Sequence, residues 1–278
     1  MIVRFISIVV LGCILLTRPS NAQGQSPTGD ELRTLAIPDD AVEVERAYRP
    51  MGDVAKRCQY LLDGELVGER LYYSNGQIAD EKLFRKKQLH GIWRQFYQDG
   101  SLFSERPYRD GLPHGTFRFW NDRGELLGAS ELKDGNGLLQ SYEKSDLGSY
   151  REEVRFAKGK IHGIRKRWGR FDITDKNGCD VTTFRHGVKD GWSYTLHDDG
   201  TLLAYSYFKN DRLHGVMRRT NRDGSNVEGY PKYRVEGREV TEAQFREAAK
   251  TDDILALTLT GKPEVEESDS KPTKQADK

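Results

Sequence analysis

Long apolar runs are what this 278-residue chain most lacks: 36% of its residues are hydrophobic, 31% are charged, and the mean hydropathy is −0.75. A thick α/β core covered on both faces, built on long buried Val/Ile/Leu strands, is therefore not expected. An excess of one charge is missing too. The 44 basic and 43 acidic residues leave a net +1, which implies no polyelectrolyte partner on global grounds. Catalytic signatures are absent: there is no G-x-S-x-G, H-E-x-x-H, Walker A or EF-hand loop. Asp198-Asp199 and Asp252-Asp253 are acidic neighbours, but adjacent strand residues face opposite ways. They read as a turn former and a helix start, so no enzyme activity and no cofactor is expected.

The ends of the chain differ from its middle. Residues 1–22, MIVRFISIVVLGCILLTRPSNA, carry Arg4, a 12-residue apolar stretch from Phe5 to Leu16, and small residues at Ser20 and Ala22. This pattern reads as a cleaved secretory signal, since a membrane-spanning helix needs about 20 apolar residues. An uncleaved anchor is one alternative; a lipoprotein attached through Cys13 is another. An exported product, periplasmic, secreted or envelope-associated, is the expectation. Loss of Arg4 and Arg18 moves the net charge to −1. Residues 23–56 read as a polar linker with one short ordered piece. Thr241-Glu-Ala-Gln244 fits a capping box opening a helix to about Lys250, and Asp252 is placed to cap a second over 254–259. Residues 229–260 are thus a helical cap. Residues 261–278 hold one β-branched aliphatic and no aromatic, a composition expected to stay disordered.

What the chain does have is glycine, aromatics and a repeat. Gly76, Gly100 and Gly124 lie 24 residues apart and Gly148 continues the series. Gly111, Gly135 and Gly159 keep the same interval, and His90-Gly91, His114-Gly115, His162-Gly163 and His214-Gly215 form a third register with Asp190-Gly191 as a variant. Gly200 and Gly224 resume the period after a stretch that has lost phase. In 91–115, two strand-length runs flank Asp99-Gly100, a hairpin signal, and the chain is expected to turn again at 110–115, His-Gly included. The apolar positions follow the turns: Ile78, Leu102, Leu126 and Leu202 stand two past the glycine, and Phe84, Tyr108, Leu132, Phe156 and Phe208 eight past it. With equal parity, both sets are expected on one buried face. The fold class is all-β: a single-layer, solenoid-like antiparallel sheet of stacked hairpins of 24 residues over 57–228, with a short C-terminal helical cap.

Asn75-Gly-Gln-Ile78, Glu81 with Phe84, and His90-Gly-Ile-Trp93 set a cadence repeated by Asp99-Gly-Ser-Leu102, Glu105 with Tyr108, and His114-Gly-Thr-Phe117. Asp199-Gly-Thr-Leu202, Phe208 and His214-Gly215 form a third copy. These units resemble MORN repeats, specifically the bacterial variant of YwqK-type proteins, over about residues 60–226; 137–150 and 165–185 depart from the pattern and read as degenerate or inserted units. The resemblance implies a binding or scaffolding element. It also implies an antitoxin-like alternative, acting in the cytoplasm, against which the signal segment counts.

Equivalent histidines one repeat apart are separated by two strand spacings, about 9.5 Å, while zinc ligands lie about 2 Å from the ion. The histidines are read as turn residues, with no metal expected. Cys58 and Cys179 are about five repeats apart, roughly 48 Å in a regular array, so two free or buried thiols are expected rather than a disulfide. Residues 151–170 carry eight Lys or Arg against Glu152 and Glu153, a local +6 that encloses Trp168. This segment either docks on an anionic membrane or polymer surface or pairs with acids of adjacent strands such as Asp172 and Asp175. Nucleic acid is not expected for an exported chain. The expected partner is a protein, contacted through Trp93, Tyr97, Trp120, Trp168, Trp192, Arg165, Lys166 and Arg167.

Overall fold

The computed structural model describes residues 29–49, 52–145, 148–169 and 178–270. The signal segment with Cys13, together with Arg170, Asp172 and Asp175, lies outside the described residues. The chain is all-β with short helices, in two open antiparallel sheets. A short helix α1 (Gly29–Arg33) precedes the first sheet: β1 (Val42–Arg46), β2 (Val54–Leu62), β3 (Glu65–Tyr73), β4 (Ile78–Arg85), β5 (Gln88–Leu89), β6 (Gly91–Phe96), β7 (Leu102–Arg109), β8 (Leu112–Pro113), β9 (Gly115–Trp120) and β10 (Leu126–Leu132). The second sheet has β11 (Gly137–Ser145), β12 (Gly148–Ala157), β13 (Lys160–Gly169), β14 (Gly178–Arg185), β15 (Val188–Leu196) and β16 (Leu202–Lys209). It ends with β17 (Arg212–Leu213), β18 (Gly215–Arg219), β19 (Lys232–Val235) and β20 (Arg238–Val240). Within each sheet strands pair with their neighbours in sequence, and the two-residue β5, β8 and β17 are side branches.

The sequence implied one sheet; the structure divides it between β10 and β11. There the ladder is reduced to one bridge, Lys133 to Asn136, and the Gln140 N–H is taken by the Ser130 hydroxyl at 2.9 Å instead of a strand carbonyl. Side chains bridge the gap: Phe117, Phe119 and Leu132 pack with Leu139, Tyr142 and Phe156 in one cluster. Within the out-of-phase stretches, the described residues 137–145, 148–150, 165–169 and 178–185 lie in ordinary strands.

Two kinds of turn alternate. Asn75-Gly76, Asp99-Gly100 and Asp199-Gly200 close hairpins with positive φ at the glycine alone, the geometry of a type I turn followed by a left-handed residue. At the other edge, Lys86-Lys87, Asp110-Gly111, Asp134-Gly135 and Lys158-Gly159 have positive φ at both residues, as type I′ turns require.

The His-Gly pairs are not turns, contrary to the sequence reading. His90-Gly91 sits where β5 gives way to β6, and His162-Gly163 lies inside β13 at a register shift. Gly91 has φ +120°, and a Cβ there would come within 2.7 Å of the Leu83 side chain. Each histidine is instead an acceptor between units. His90 Nδ1 takes the Asp110 N–H at 3.3 Å, His114 that of Asp134 at 3.2 Å, His162 that of His186 at 3.3 Å, and His214 that of Glu236 at 3.1 Å. In the out-of-phase unit, Asn136 Oδ1 does the same for Lys158 at 3.0 Å. An acceptor side chain before glycine at this point holds the next type I′ turn.

A second departure concerns parity. The register shifts between Ile78 and Asp80, Leu102 and Ser104, Leu126 and Gly128, and Leu202 and Ala204. Such a bulge, one per unit, reverses the side-chain alternation. The positions two past the glycine are consequently less buried than expected, with Leu126 57% exposed, while the bulge residues Ala79, Phe103 and Leu203 are buried.

One face of both sheets carries all four helices found among the described residues. It holds the residue after each His-Gly or Asp-Gly pair: Ile92 and Thr116 in the first sheet, Ile164, Trp192 and Val216 in the second. Arg33, at the end of α1, reaches Glu105 of this face at 2.8 Å, and Leu32 is fully buried. Helix α2 (Glu242–Ala248) has its Thr241–Gln244 capping box, and α3 (Asp253–Thr260) its Asp252 cap, as the sequence predicts. They bury Phe245 and Leu255 against Val216. The four-residue α4 (Glu267–Ser270) lies on β14. Residues 261–270, expected to open a disordered tail, thus form an ordered strap, and the expected linker contributes α1, β1 and part of β2. No helix among the described residues is long and apolar enough to cross a membrane.

Candidate functional site

The helix-free face is built from aromatic rings beneath cations. Trp93 lies between the Lys82 ammonium, 4.6 Å from its ring centre, and the Arg106 guanidinium at 5.0 Å. Arg106 also covers Phe119 at 5.3 Å, Arg165 covers Phe184 at 5.1 Å, and Lys189 covers Phe208 at 4.9 Å. The Trp93 indole N–H donates to Asp80 Oδ2 at 2.6 Å. Burial raises the Asp80 pKa, opposed by Lys82 and by the indole. A cavity of about 250 Å³ opens beside Asp80, lined also by Val54, Tyr73 and Phe103. Lys82 also meets Asp80 at 3.2 Å, and Arg165 has Glu152 and Asp180 beside it, so this surface is suited to contact with aromatic and polar groups, and cations held over rings lose little freedom on binding.

The basic segment divides between the two faces, because alternate residues of β13 point opposite ways. Arg167 is ion-paired with Asp180 at 2.7 Å, and Arg165 lies 3.7 Å from both Glu152 and Asp180, all on the helix-free face. Lys166 points to the helix-bearing face and meets Asp269 at 2.7 Å and Glu266 at 3.2 Å. Burial lowers its pKa, but those carboxylates outweigh it and the net direction is upward. Trp168 donates its indole N–H to the Asp269 carbonyl at 3.0 Å. Tyr194 donates its hydroxyl to Asp269 Oδ2 at 2.7 Å. Trp168, Cys179, Val181, Tyr194 and Leu196 form the apolar floor. Burial pushes the Cys179 thiol up to about 12.

Of the other residues singled out by sequence, Tyr97 is a staple between units: its hydroxyl donates to the Trp120 carbonyl at 2.9 Å, as Tyr73 does to that of Phe96 at 2.7 Å. Trp192 packs edge-on against Tyr205 and Tyr207. Trp93 and Trp120 are half-buried, and Trp168 is buried. Cys58 and Cys179 are both free and buried, as expected. The rings of His162 and His186 come within 4.7 Å, a neighbourhood the sequence spacing did not reveal. No group of three or more metal-ligating side chains occurs among the described residues. Sequence reasoning missed Asp269, Glu266 and Tyr194. The available signal was an acidic run at 264–269, opposite in sign to 151–170.

The profile of the MORN repeat variant matches residues 89–110, which is the unit holding His90-Gly91, the Trp93 sandwich and the Asp99-Gly100 hairpin. This one unit is thus similar to the MORN repeat variant, a module generally associated with protein or membrane binding and not an enzyme family. No curated protein matches the chain.

Proposed function

We propose that this chain is an exported, non-enzymatic binding or scaffolding protein whose MORN-like array presents the helix-free face to a protein partner. The observation that carries this reading is the asymmetry of the array. Among the described residues the helices all lie on one face, while the other keeps a row of aromatics under Lys and Arg across both sheets. Docking on an anionic membrane through 151–170 is less favoured, because Arg165, Lys166 and Arg167 each meet a carboxylate of the chain itself. The signal segment supports export and counts against a cytoplasmic antitoxin.

The test places a photo-crosslinking amino acid at Lys82 or Lys189 of the helix-free face in living cells, with Glu242 on α2 as the control position. Fractionation and N-terminal mass spectrometry are run alongside. The reading expects a chain beginning at Gln23 outside the cytoplasm and one protein adduct from the face positions, absent from the control. An intact Met1 terminus in the cytoplasm would overturn export. Adducts equally frequent from Glu242 would overturn the choice of face.

A further inference from the structure

On the helix-bearing face of the first sheet, charges alternate across the strands. Arg70 meets Glu81 at 2.8 Å, Arg94 lies 3.4 Å from both Glu81 and Glu105, and Arg33 of α1 completes the row on Glu105. The second sheet repeats this row by register: Glu153 opposes Lys166, Lys166 opposes Val181, and Val181 opposes Tyr194. Val181 thus stands where the pattern has Glu105. Lys166 loses the acid on that side, and the strands beyond it present an apolar floor.

The strap fills that vacancy from a distance of about a hundred residues in sequence. Asp269 is 1% exposed; it meets Lys166, accepts from Tyr194, and accepts the Glu266 N–H at 2.9 Å. The Ser268 hydroxyl lies 2.8 Å from Lys166 Nζ, and Pro263 is buried. Between these two anchors, Glu264, Val265, Glu266 and Ser268 are exposed. Among its described side chains only Pro263 and Asp269 are buried, and its polar contacts with the sheet run through Glu264, Glu266, Ser268 and, most of all in number, Asp269. An acidic segment held this way has the chemistry of a bound peptide.

We infer that the Lys166–Trp168–Tyr194 surface is a docking site for an acidic peptide segment of a partner protein, occupied in the free chain by its own residues 263–270. The inference rests on the reading of the array as a binding module and gives this surface its partner class. The recognition elements are a carboxylate for Lys166 and Tyr194, a main-chain carbonyl for the Trp168 indole, and a second carboxylate near Lys166. A partner bearing them displaces the strap.

Cys179 lies in the floor under the strap and Cys58 is buried in the other sheet, so the two thiols report release and unfolding separately. The experiment uses the full chain and its Asp269→Ala and Glu266→Gln variants, with alkylation by N-ethylmaleimide followed by peptide mass spectrometry. Asp269→Ala should raise the Cys179 alkylation rate at least tenfold with Cys58 unchanged, and Glu266→Gln should raise it less. A synthetic peptide of residues 261–270 should restore protection in both variants. The same peptide carrying the Asp269→Ala change should not, and Lys166→Ala in the protein should abolish the effect. Protection should weaken at high salt, as screened charges do. Unchanged Cys179 reactivity in both variants would overturn the inference, as would protection that ignores Lys166. So would a rise at Cys58 in step with Cys179 in Glu266→Gln, since the strap would then be part of the folding core. None of these failures touches the crosslinking test of the opposite face.

Discussion

The first sheet is tied together by contacts that recur every unit: the Arg70–Glu81–Arg94–Glu105 row, the His90 and His114 acceptors, and the Tyr73 and Tyr97 hydroxyls on the next unit's carbonyls. In the second sheet the row lapses at Val181, and the missing partners arrive from far away in sequence. Asp269 comes to Lys166, the Leu259 carbonyl to Arg218 at 2.8 Å, and Asp252 to His214 Nε2 at 3.0 Å. A regular repeat satisfies its polar groups with its neighbours. Where the repeat drifts, buried groups still need partners, and the C-terminal segments supply them. The first sheet should therefore fail unit by unit, the second when its straps are lost.

The largest effect is expected where the sheets meet. Phe119→Ala removes a fully buried ring at the seam and should cost about 3–5 kcal/mol in denaturant unfolding, with both sheets affected. Two glycines sharpen the comparison. Gly91→Ala combines a positive φ with a 2.7 Å approach to Leu83, whereas Gly163 has φ +87° and open space. Gly91→Ala should cost about 1–3 kcal/mol for strain, and more than Gly163→Ala; equal losses would mean that backbone conformation alone decides.

His114→Ala leaves the Asp134 amide without its acceptor, worth about 1 kcal/mol in the same assay. The pH dependence has a definite sign. Burial, the main cause, lowers the pKa of His90 and His114, so the unfolded chain takes up these protons first, near pH about 6.5. Their contribution is complete above that pH and is lost as pH falls through the lowered folded values. Melting temperature should fall between pH 7.5 and 5, and His90→Gln with His114→Gln should flatten that slope by offering a non-titrating acceptor. The smallest effect belongs to Leu126→Ala. At 57% exposed, it should change stability by no more than about 0.5 kcal/mol; a larger loss would contradict the reversal of parity at the bulge.

The glycine periods announced the hairpins, and the Thr241–Gln244 box and Asp252 announced their helices, because turns and caps are set by residues within a few positions of each other. The candidate site was legible in part. The 151–170 charge run was visible, but the faces of Arg165, Lys166 and Arg167 were not; Asp172 and Asp175, the acids the sequence named, lie outside the described residues, and the acids seen beside the run are at 152, 180, 266 and 269. The His-Gly pairs were found by period and misassigned to turns, since the hydrogen bond that explains them runs to the next unit.

By itself, then, the sequence determined the all-β class, the repeat, its Asn-Gly and Asp-Gly hairpin turns, the short C-terminal helices and the placing of the two cysteines in separate parts of the array. All of these follow from local conformational preference multiplied by a period. The tertiary structure alone decided which parity is buried, where the single sheet divides, and which distant acid neutralises Lys166. Those outcomes depend on one-residue shifts in pairing and on contacts across about a hundred residues, and the energy that selects them exists only once the strands are side by side.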